Sequence, residues 1–207
     1  MFETLLAMDT VTVVTFMGAA ILLYLTPGAD MMFTLATGIT GGPKASLAAA
    51  VGISAGVLVH VALAAAGLAV LLLAYPAAYD AIRYIGAAYL MWLAIQSWRA
   101  GSTVGGTGGS AGMWRAFRRG FLTNILNPKV ALFVLAFLPQ FTDPAIGPVW
   151  HQIIWLGLFL ALGGIFTDGA YGVFAGVMAD RLRRSGGIMN KISAIVFGGL
   201  AAKIALD

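Results

Sequence analysis

Cysteine is missing from the chain, and charge is scarce. The 207 residues include no cysteine and two histidines, and only 10% of them are charged. The first absence excludes a disulfide scaffold, iron–sulfur clusters, thiolate metal sites and a cysteine nucleophile. The second is unusual, because a typical soluble domain has about 25% charged residues. The chain therefore has too few charged groups to cover a surface that faces water.

Apolar residues take the place of the missing charge. They make up 60% of the chain, and the mean hydropathy is +0.93. A water-soluble fold of this length could not bury so much apolar surface, whereas a lipid bilayer removes that demand. The formal net charge of +4 comes without the clustered basic face that nucleic-acid binding requires. We therefore expect residues 1–207 to form a single membrane domain that binds no nucleic acid.

Long apolar runs predict about six transmembrane helices, because about 20 such residues cross the hydrocarbon core. The spans are expected at about 11–36, 45–74, 77–98, 117–141, 149–178 and 188–206. These runs are too long, and too apolar on all sides, for the alternating strands of a membrane barrel. The predicted fold class is an all-α membrane protein.

Basic residues in the loops indicate the orientation. With six spans, one side of the membrane holds Lys44, Arg99, Arg115, Arg118, Arg119, Arg181, Arg183, Arg184 and Lys191. The other side holds Arg83, Lys203 and most of the acidic loop residues. Because cytoplasmic loops carry an excess of lysine and arginine, we expect the first side in the cytoplasm and both termini outside.

A glycine- and serine-rich segment at 100–114 divides the chain. Its glycine run lacks the Gly-Lys-Ser/Thr of a phosphate loop, and no strand precedes it, so we interpret the segment as a cytoplasmic linker. Three spans in 1–99 and three in 115–207 would give two halves of opposite orientation, a recurring transporter plan. The first helix of each half carries a proline, Pro27 and Pro128, which favours two inverted halves with broken first helices.

Charged residues accompany both prolines. Proline removes a helical hydrogen bond, and in lipid the freed backbone groups must line a cavity or meet neighbouring protein. Asp30 and Lys129 follow the two prolines closely, and Asp168 lies well inside the fifth span. Unpaired, each charge would cost about 2.5–3.5 kcal/mol at mid-membrane. We therefore expect the three to face one polar cavity, although a purely structural ion pair would also relieve this cost.

Small residues accompany the ionisable ones. Gly52, Gly56 and His60 are spaced by four residues, as are Gly164, Asp168, Gly172 and Gly176. Such stripes let membrane helices approach closely, which points His60 and Asp168 toward protein and not lipid. We expect Gly67 to extend the first stripe, His60 to lie near the cavity and Tyr171 to line it. A hydrogen-bonded core histidine is an equally good interpretation of His60.

At these positions the chain resembles the LysE/RhtB family of amino-acid exporters. The similar stretches are Leu25–Asp30, the stripe from Gly52 to Gly67, Gly86–Leu93, Phe117–Lys129 and Phe137–Phe141, with Asp168, Tyr171, Lys191–Ser193 and Lys203. Ala29 departs from the family, many members of which carry proline there. The resemblance implies efflux of amino acids or close derivatives across a bacterial inner membrane, driven by the proton gradient and without a cofactor.

A zwitterionic substrate needs an anion for its ammonium group and a donor for its carboxylate. The expected substrate-binding residues are Asp30, Lys129, Asn124, Asn127, Pro27, Pro128, Gly28 and Tyr171. The expected proton-coupling residues are Asp168, Asp30 and His60. Asp30 or Asp168 would bind the ammonium, and Lys129, the two asparagines and the amides at the helix breaks would bind the carboxylate. Asp168, with no lysine in its own span, is the predicted proton carrier.

Other functions are also compatible with parts of this pattern. A metal-ion or other solute permease of the same superfamily would use the two carboxylates, although Lys129 argues against a cation. An intramembrane enzyme would need a nucleophile with a base, or a metal cluster, and the sequence has no motif for either. A structural subunit has no need of costly central charges. The glycine faces would also permit a homodimer.

Overall fold

The computed structural model describes residues 1–67, 84–85, 88–89, 91–92, 95, 110–182, 191, 194–195, 198–199 and 202. The described helices are α1 (Phe2–Ala7), α2 (Thr10–Leu25), α3 (Ala29–Gly41), α4 (Pro43–Ala65), α5 (Ser110–Ile125), α6 (Pro128–Leu132) and α7 (Val149–Leu182). A π-helical turn at Phe133–Phe137 and 3₁₀ turns at Leu138–Phe141 and Pro144–Ile146 follow α6. No strand occurs among these residues, and the all-helical class is confirmed.

Four of the predicted spans have counterparts in the described helices. α4 and the Val149–Ala179 part of α7 are each long and apolar enough to cross a bilayer. α2 and α3 form a pair bent by 53°, and Gly112–Ile125 forms a pair with Pro128–Phe141 that is bent by 56°. Both bends fall at the predicted prolines. The predicted spans at 77–98 and 188–206 lie mostly outside the described residues, so the six-helix inverted arrangement stays a prediction.

The bounds of two helices differ from those expected. α4 ends at Ala65, and Gly67 lies beyond it with φ +80°. A glycine in this left-handed conformation ends a helix, so the expectation that Gly67 extends the glycine stripe is wrong. α5 begins at Ser110, within the segment 100–114 interpreted as a linker, and residues 100–109 lie outside the described part. The hydropathy pattern also does not predict α1.

Local sequence explains where several helices begin. The Asp9 carboxylate accepts a hydrogen bond from the Thr12 amide at 3.2 Å and caps α2. The Asn127 side chain accepts one from the Lys129 amide at 3.1 Å and caps α6. Such caps satisfy amides that have no partner inside the helix. Pro43 stands at the start of α4, where its missing N–H costs nothing.

Glycines let the helices around α4 pack at backbone distance. α4 contacts both α5 and α7, and α3 contacts α7. A Cβ added to Gly52 of α4 would lie 2.1 Å from the Phe117 carbonyl oxygen of α5. A Cβ added to Gly38 of α3 would lie 2.0 Å from the Gly172 carbonyl oxygen of α7. Only glycine fits at such contacts, as is typical of small residues between membrane helices.

The same contacts give the helix directions. Pro43 meets Gly176, and farther along α4 the Ser54 hydroxyl donates to the Ala161 carbonyl at 2.9 Å, so α4 and α7 are antiparallel. α5 runs in the same direction as α4. The start of α4 and the N-terminal half of α5 therefore share one end of the bundle. We call it the basic end after Lys44, Arg115, Arg118 and Arg119. At the opposite end of the bundle, one groove is lined by two acidic residues, Asp9 and Asp143.

Candidate functional site

The first helix break lies between α2 and α3. Pro27 has no N–H, so the carbonyl of Leu23, four residues earlier, loses its helical partner. The Lys129 ammonium replaces that partner, donating to the Leu23 carbonyl at 2.8 Å and to the Thr26 carbonyl at 2.7 Å. A Cβ added to Gly28 would come within 3.1 Å of Lys129 Nζ. Glycine at this position therefore leaves the room that the ammonium occupies.

The second break, between α5 and α6, has the same design. Pro128 frees the carbonyl of Asn124, again four residues earlier. This carbonyl accepts from the Asn127 amide at 2.9 Å and contacts His60 Nε2 at 3.3 Å. A carbonyl can only accept, so His60 donates through Nε2, and in the neutral imidazole Nδ1 is then an acceptor. Nδ1 is buried and has no hydrogen-bond partner among the described residues.

Asn124 joins the two breaks to each other. Its side-chain Nδ2 donates to Asp30 Oδ2 at 2.8 Å, while its backbone carbonyl meets His60. Asn124 is 0% exposed, and a Cβ added to Gly56 would lie 2.7 Å from its Oδ1. The lack of a side chain at Gly56 on α4 thus leaves the space that the Asn124 side-chain amide occupies. The bonds from His60 through Asn124 to Asp30 connect α4, α5 and α3.

A cavity lies beside these bonds. Its polar and charged lining includes Tyr24, Thr26, Asp30, Asn127, Lys129 and Asp168, and apolar walls come from α4 and α7. Asp30, Lys129 and Asp168 interact electrostatically, so the three charged residues expected at one cavity do meet there. The cavity volume is about 30 Å³, room for about two water molecules. Pockets that enclose small molecules measure about 300 Å³ or more, so the cavity in this conformation is too small to hold an amino acid.

The other predicted site residues surround the cavity. Gly28 lines it, His60 and Asn124 lie behind Asp30, and neither proline is among the described lining residues. Tyr171 is half-buried and does not line the cavity. It lies about 4.5 Å farther along α7 than Asp168 and about 60° around the helix, so its place in the substrate site stays a prediction. The roles of the others in binding and coupling stay predictions.

Tyr24 is a cavity residue that the sequence reasoning missed. Its hydroxyl donates to the Leu160 carbonyl of α7, and a Cβ added to Gly163 would lie 2.8 Å from that hydroxyl. The contact ties α2, before the break, to α7. The available signal was a tyrosine three residues before Pro27, with a hydroxyl that has to find a partner when buried.

Removing the Tyr24 hydroxyl is expected to destabilise the protein slightly. In Tyr24→Phe the ring stays and one interhelical hydrogen bond is lost, which costs about 0.6 kcal/mol on average in membrane proteins. Thermal unfolding in detergent should then show a melting temperature lower by about 1–3 °C. An unchanged melting temperature would mean that the hydroxyl contributes nothing to the contact between α2 and α7.

A comparison with models of protein families assigns the chain to a family. A family model for the LysE type translocator matches residues 21–207. The chain belongs to this family. The resemblance seen in the sequence is confirmed, and the alternative of an intramembrane enzyme is wrong, because the family is one of translocators and the relatives named for a function are efflux proteins.

Curated relatives of this LysE-type translocator come from several bacteria. A homoserine/homoserine lactone efflux protein of Salmonella typhimurium is 34% identical over 139 residues, which cover 66% of this chain and 67% of that protein. A leucine efflux protein of Enterobacter sp. strain 638 is 29% identical over 198 residues, covering 92% and 93%. An uncharacterized membrane protein of Vibrio cholerae serotype O1 is 31% identical over 195 residues, covering 93% and 94%. No solved structure matches the chain significantly.

Proposed function

We propose that this translocator is a secondary transporter that exports amino acids or close derivatives and is driven by the proton gradient. The observation that carries the proposal is the cavity where Asp30, Lys129 and Asp168 meet beside two proline-broken helices. Charges of both signs at mid-membrane are costly, and broken helices at matching positions are a recurring feature of transporter binding sites.

Buried polar atoms near the cavity match the two ends of an amino acid. Asp30 Oδ1 and Asn124 Oδ1 are acceptors, and Asn127 Nδ2 is a donor; none forms a hydrogen bond of good geometry with the described residues, although the Asn127 side chain lies close enough to Asp30 to interact with it. Such atoms are costly to leave unpaired. An ammonium group would satisfy the first two, and a carboxylate would satisfy the third together with Lys129. The set thus suits a small zwitterion better than a bare metal cation.

The names of two relatives indicate which chemical group their substrates have in common. One is named for homoserine and homoserine lactone, and another for leucine. Each of these compounds carries an α-amino group, whereas the lactone has no free carboxylate. By analogy, we infer that the acidic side of the cavity recognises what the substrates have in common. Asp30, which receives a hydrogen bond from Asn124, would bind the ammonium.

The charge balance of the cavity supports proton coupling. With both carboxylates ionised and Lys129 charged, the described lining carries one net negative charge. An amino acid brings no net charge, so it leaves this imbalance in place, whereas a proton removes it. Asp168 is 7% exposed, and its carboxylate forms no hydrogen bond with the described residues. We propose Asp168 as the proton carrier and His60 as a residue that holds the second break in position.

The small volume of the cavity and the two helix breaks support an alternating-access mechanism. A volume of about 30 Å³ admits no amino acid, so the helices must separate on one side at a time. Each freed carbonyl receives a side-chain donor from the other half of the chain, Lys129 in one case and His60 in the other. This reciprocity favours the inverted-repeat arrangement. We place the basic end in the cytoplasm and both termini outside the inner membrane.

The test compares amino-acid efflux from cells loaded with a panel of dipeptides. Wild type should release one or a few amino acids faster than cells without it. Asp30→Asn should lose this release because the ammonium loses its anion. Asp168→Asn should still exchange substrate across the membrane but no longer export it against its gradient, because it has no proton to move.

The matched control is Asp9→Asn, an exposed carboxylate at the opposite end whose capping role asparagine can keep. It should export like wild type at equal membrane levels. If well-expressed wild type releases no amino acid faster, the proposed substrate class is wrong. Full uphill export by Asp168→Asn would instead refute only the assignment of the proton carrier.

A further inference from the structure

A second site lies at the basic end, away from the central cavity. It is a groove of about 530 Å³ between α5 and the described residues Tyr89 and Trp92. Its α5 wall carries Trp114, Arg115, Arg118 and Arg119, and it shares no described lining residue with the central cavity. We propose that this groove, which we call the basic groove, binds the headgroup of an anionic phospholipid.

The charge of the basic groove is one-sided. Residues three and four apart share a helix face, so Arg115, Arg118 and Arg119 project together, and no acidic residue is among the described lining. Arg115 and Arg118 are exposed and form no hydrogen bond or ion pair with the residues that the structure describes. Arg115 also lies close enough to Arg119 to repel it. A phosphodiester would relieve this repulsion and accept hydrogen bonds from guanidinium groups.

Aromatic side chains fix the shape of the groove. The Arg119 guanidinium lies 5.5 Å from the Trp92 ring centre, and Trp92 stacks on Tyr89 at 5.7 Å. The Tyr89 hydroxyl donates to the Arg119 carbonyl at 3.4 Å. On the opposite rim, Trp114 is 60% exposed. Tryptophan and tyrosine are typical of the headgroup level of a bilayer, which is where α5 begins its span.

The polarity of the groove changes with depth as that of a lipid does. Leu122, which is 40% exposed, closes its deeper part. At 1.5 Å per helical residue, Leu122 lies about 10 Å below Arg115. The arginines would therefore meet a phosphate at the membrane surface while Leu122 meets an acyl chain. A free phosphate would use only the upper part, so the whole groove fits a lipid better.

The test measures lipid binding to the purified full-length protein in neutral detergent. Native mass spectrometry would follow titrations with phosphatidylglycerol and with phosphatidylcholine of the same acyl chains. Wild type should bind phosphatidylglycerol with clear preference. Arg115→Gln/Arg118→Gln should bind it about 25-fold more weakly, because each basic residue near a membrane surface contributes a factor of about five. Lys44→Gln, an exposed change at the same end outside the groove, should alter binding less than twofold.

Three results would overturn the proposal. These are equal binding of the two lipids, unchanged phosphatidylglycerol binding by the double variant, and displacement of the lipid by inorganic phosphate or glycerophosphoglycerol at the lipid's own concentration. The last would identify a site for free anions. If the double variant does not purify as one species, Arg118→Gln alone decides: a fivefold loss supports the lipid site and no loss refutes it. The result does not depend on which solute the central cavity transports.

Discussion

Replacing Lys129 with methionine is expected to reduce export about 100-fold or more at equal membrane levels. The ammonium donates hydrogen bonds to the Leu23 and Thr26 carbonyls at the first break. Among the described residues that line the cavity, it is also the positive charge that partly balances two carboxylates. An uncompensated charge at mid-membrane costs about 2.5–3.5 kcal/mol, which corresponds to roughly two orders of magnitude in an equilibrium. The measurement is the initial efflux rate of whichever amino acid the wild type exports.

Lys44→Met is the matched control, because Lys44 is exposed in the first turn of α4 and lies outside the described lining of the cavity. It should export within about twofold of wild type. Lys129→Arg tests the geometry, since arginine keeps the charge but its larger planar head differs from a compact ammonium. We expect Lys129→Arg to export poorly as well, because Gly28 leaves little room there. Near-normal export by Lys129→Met in folded protein would contradict a central role for this charge.

Among the substitutions proposed here that add one methyl group, Gly38→Ala is expected to destabilise the protein most. The added Cβ would lie 2.0 Å from the Gly172 carbonyl oxygen, whereas ordinary contact begins at 3.4 Å. Backbone cannot rotate away as a side chain can, so α3 and α7 must separate. Overpacking costs about 1–3 kcal/mol and occasionally more, and we expect the upper end. The melting temperature in detergent should fall by about 10 °C, or the protein should fail to purify as one species.

Gly18→Ala provides the comparison for Gly38→Ala. Both replace a helical glycine with alanine, but a Cβ at Gly18 would meet nothing within 4 Å. Alanine is the better helix former, so Gly18→Ala should match or slightly exceed wild-type stability. Equal melting temperatures for the two variants would show that α3 and α7 do not pack at backbone distance.

The sequence predicts the helix breaks well because their cause is local. Pro27 and Pro128 interrupt apolar runs, and no tertiary contact can restore the missing N–H. The closeness of Asp30, Lys129 and Asp168 also follows from sequence, since isolated charges are costly in lipid and must converge. The basic residues in the loops predict the orientation in the membrane, which stays a prediction.

The partners inside the site do not follow from sequence. That Lys129 binds the carbonyls of another helix, or that Asn124 donates to Asp30, depends on how two bent helices cross. Hydropathy and spacing do not encode this crossing. The two tyrosines illustrate the limit: Tyr171 was expected from its spacing from Asp168, yet the tyrosine among the described lining residues is Tyr24 of another helix. Gly67 illustrates another, because glycine serves both as a packing residue within a helix and as the residue that ends one.

The position of Asn124 makes the two bends a single mechanical unit. One residue provides the carbonyl that the second bend exposes and the amide that holds the carboxylate of the first. A rotation of α5 about its bend would therefore move Asp30, because only the short Asn124 side chain links the two. We therefore expect the two bends to move together, so that a change in the tilt of α3 or of α5 alters the tilt of the other helix.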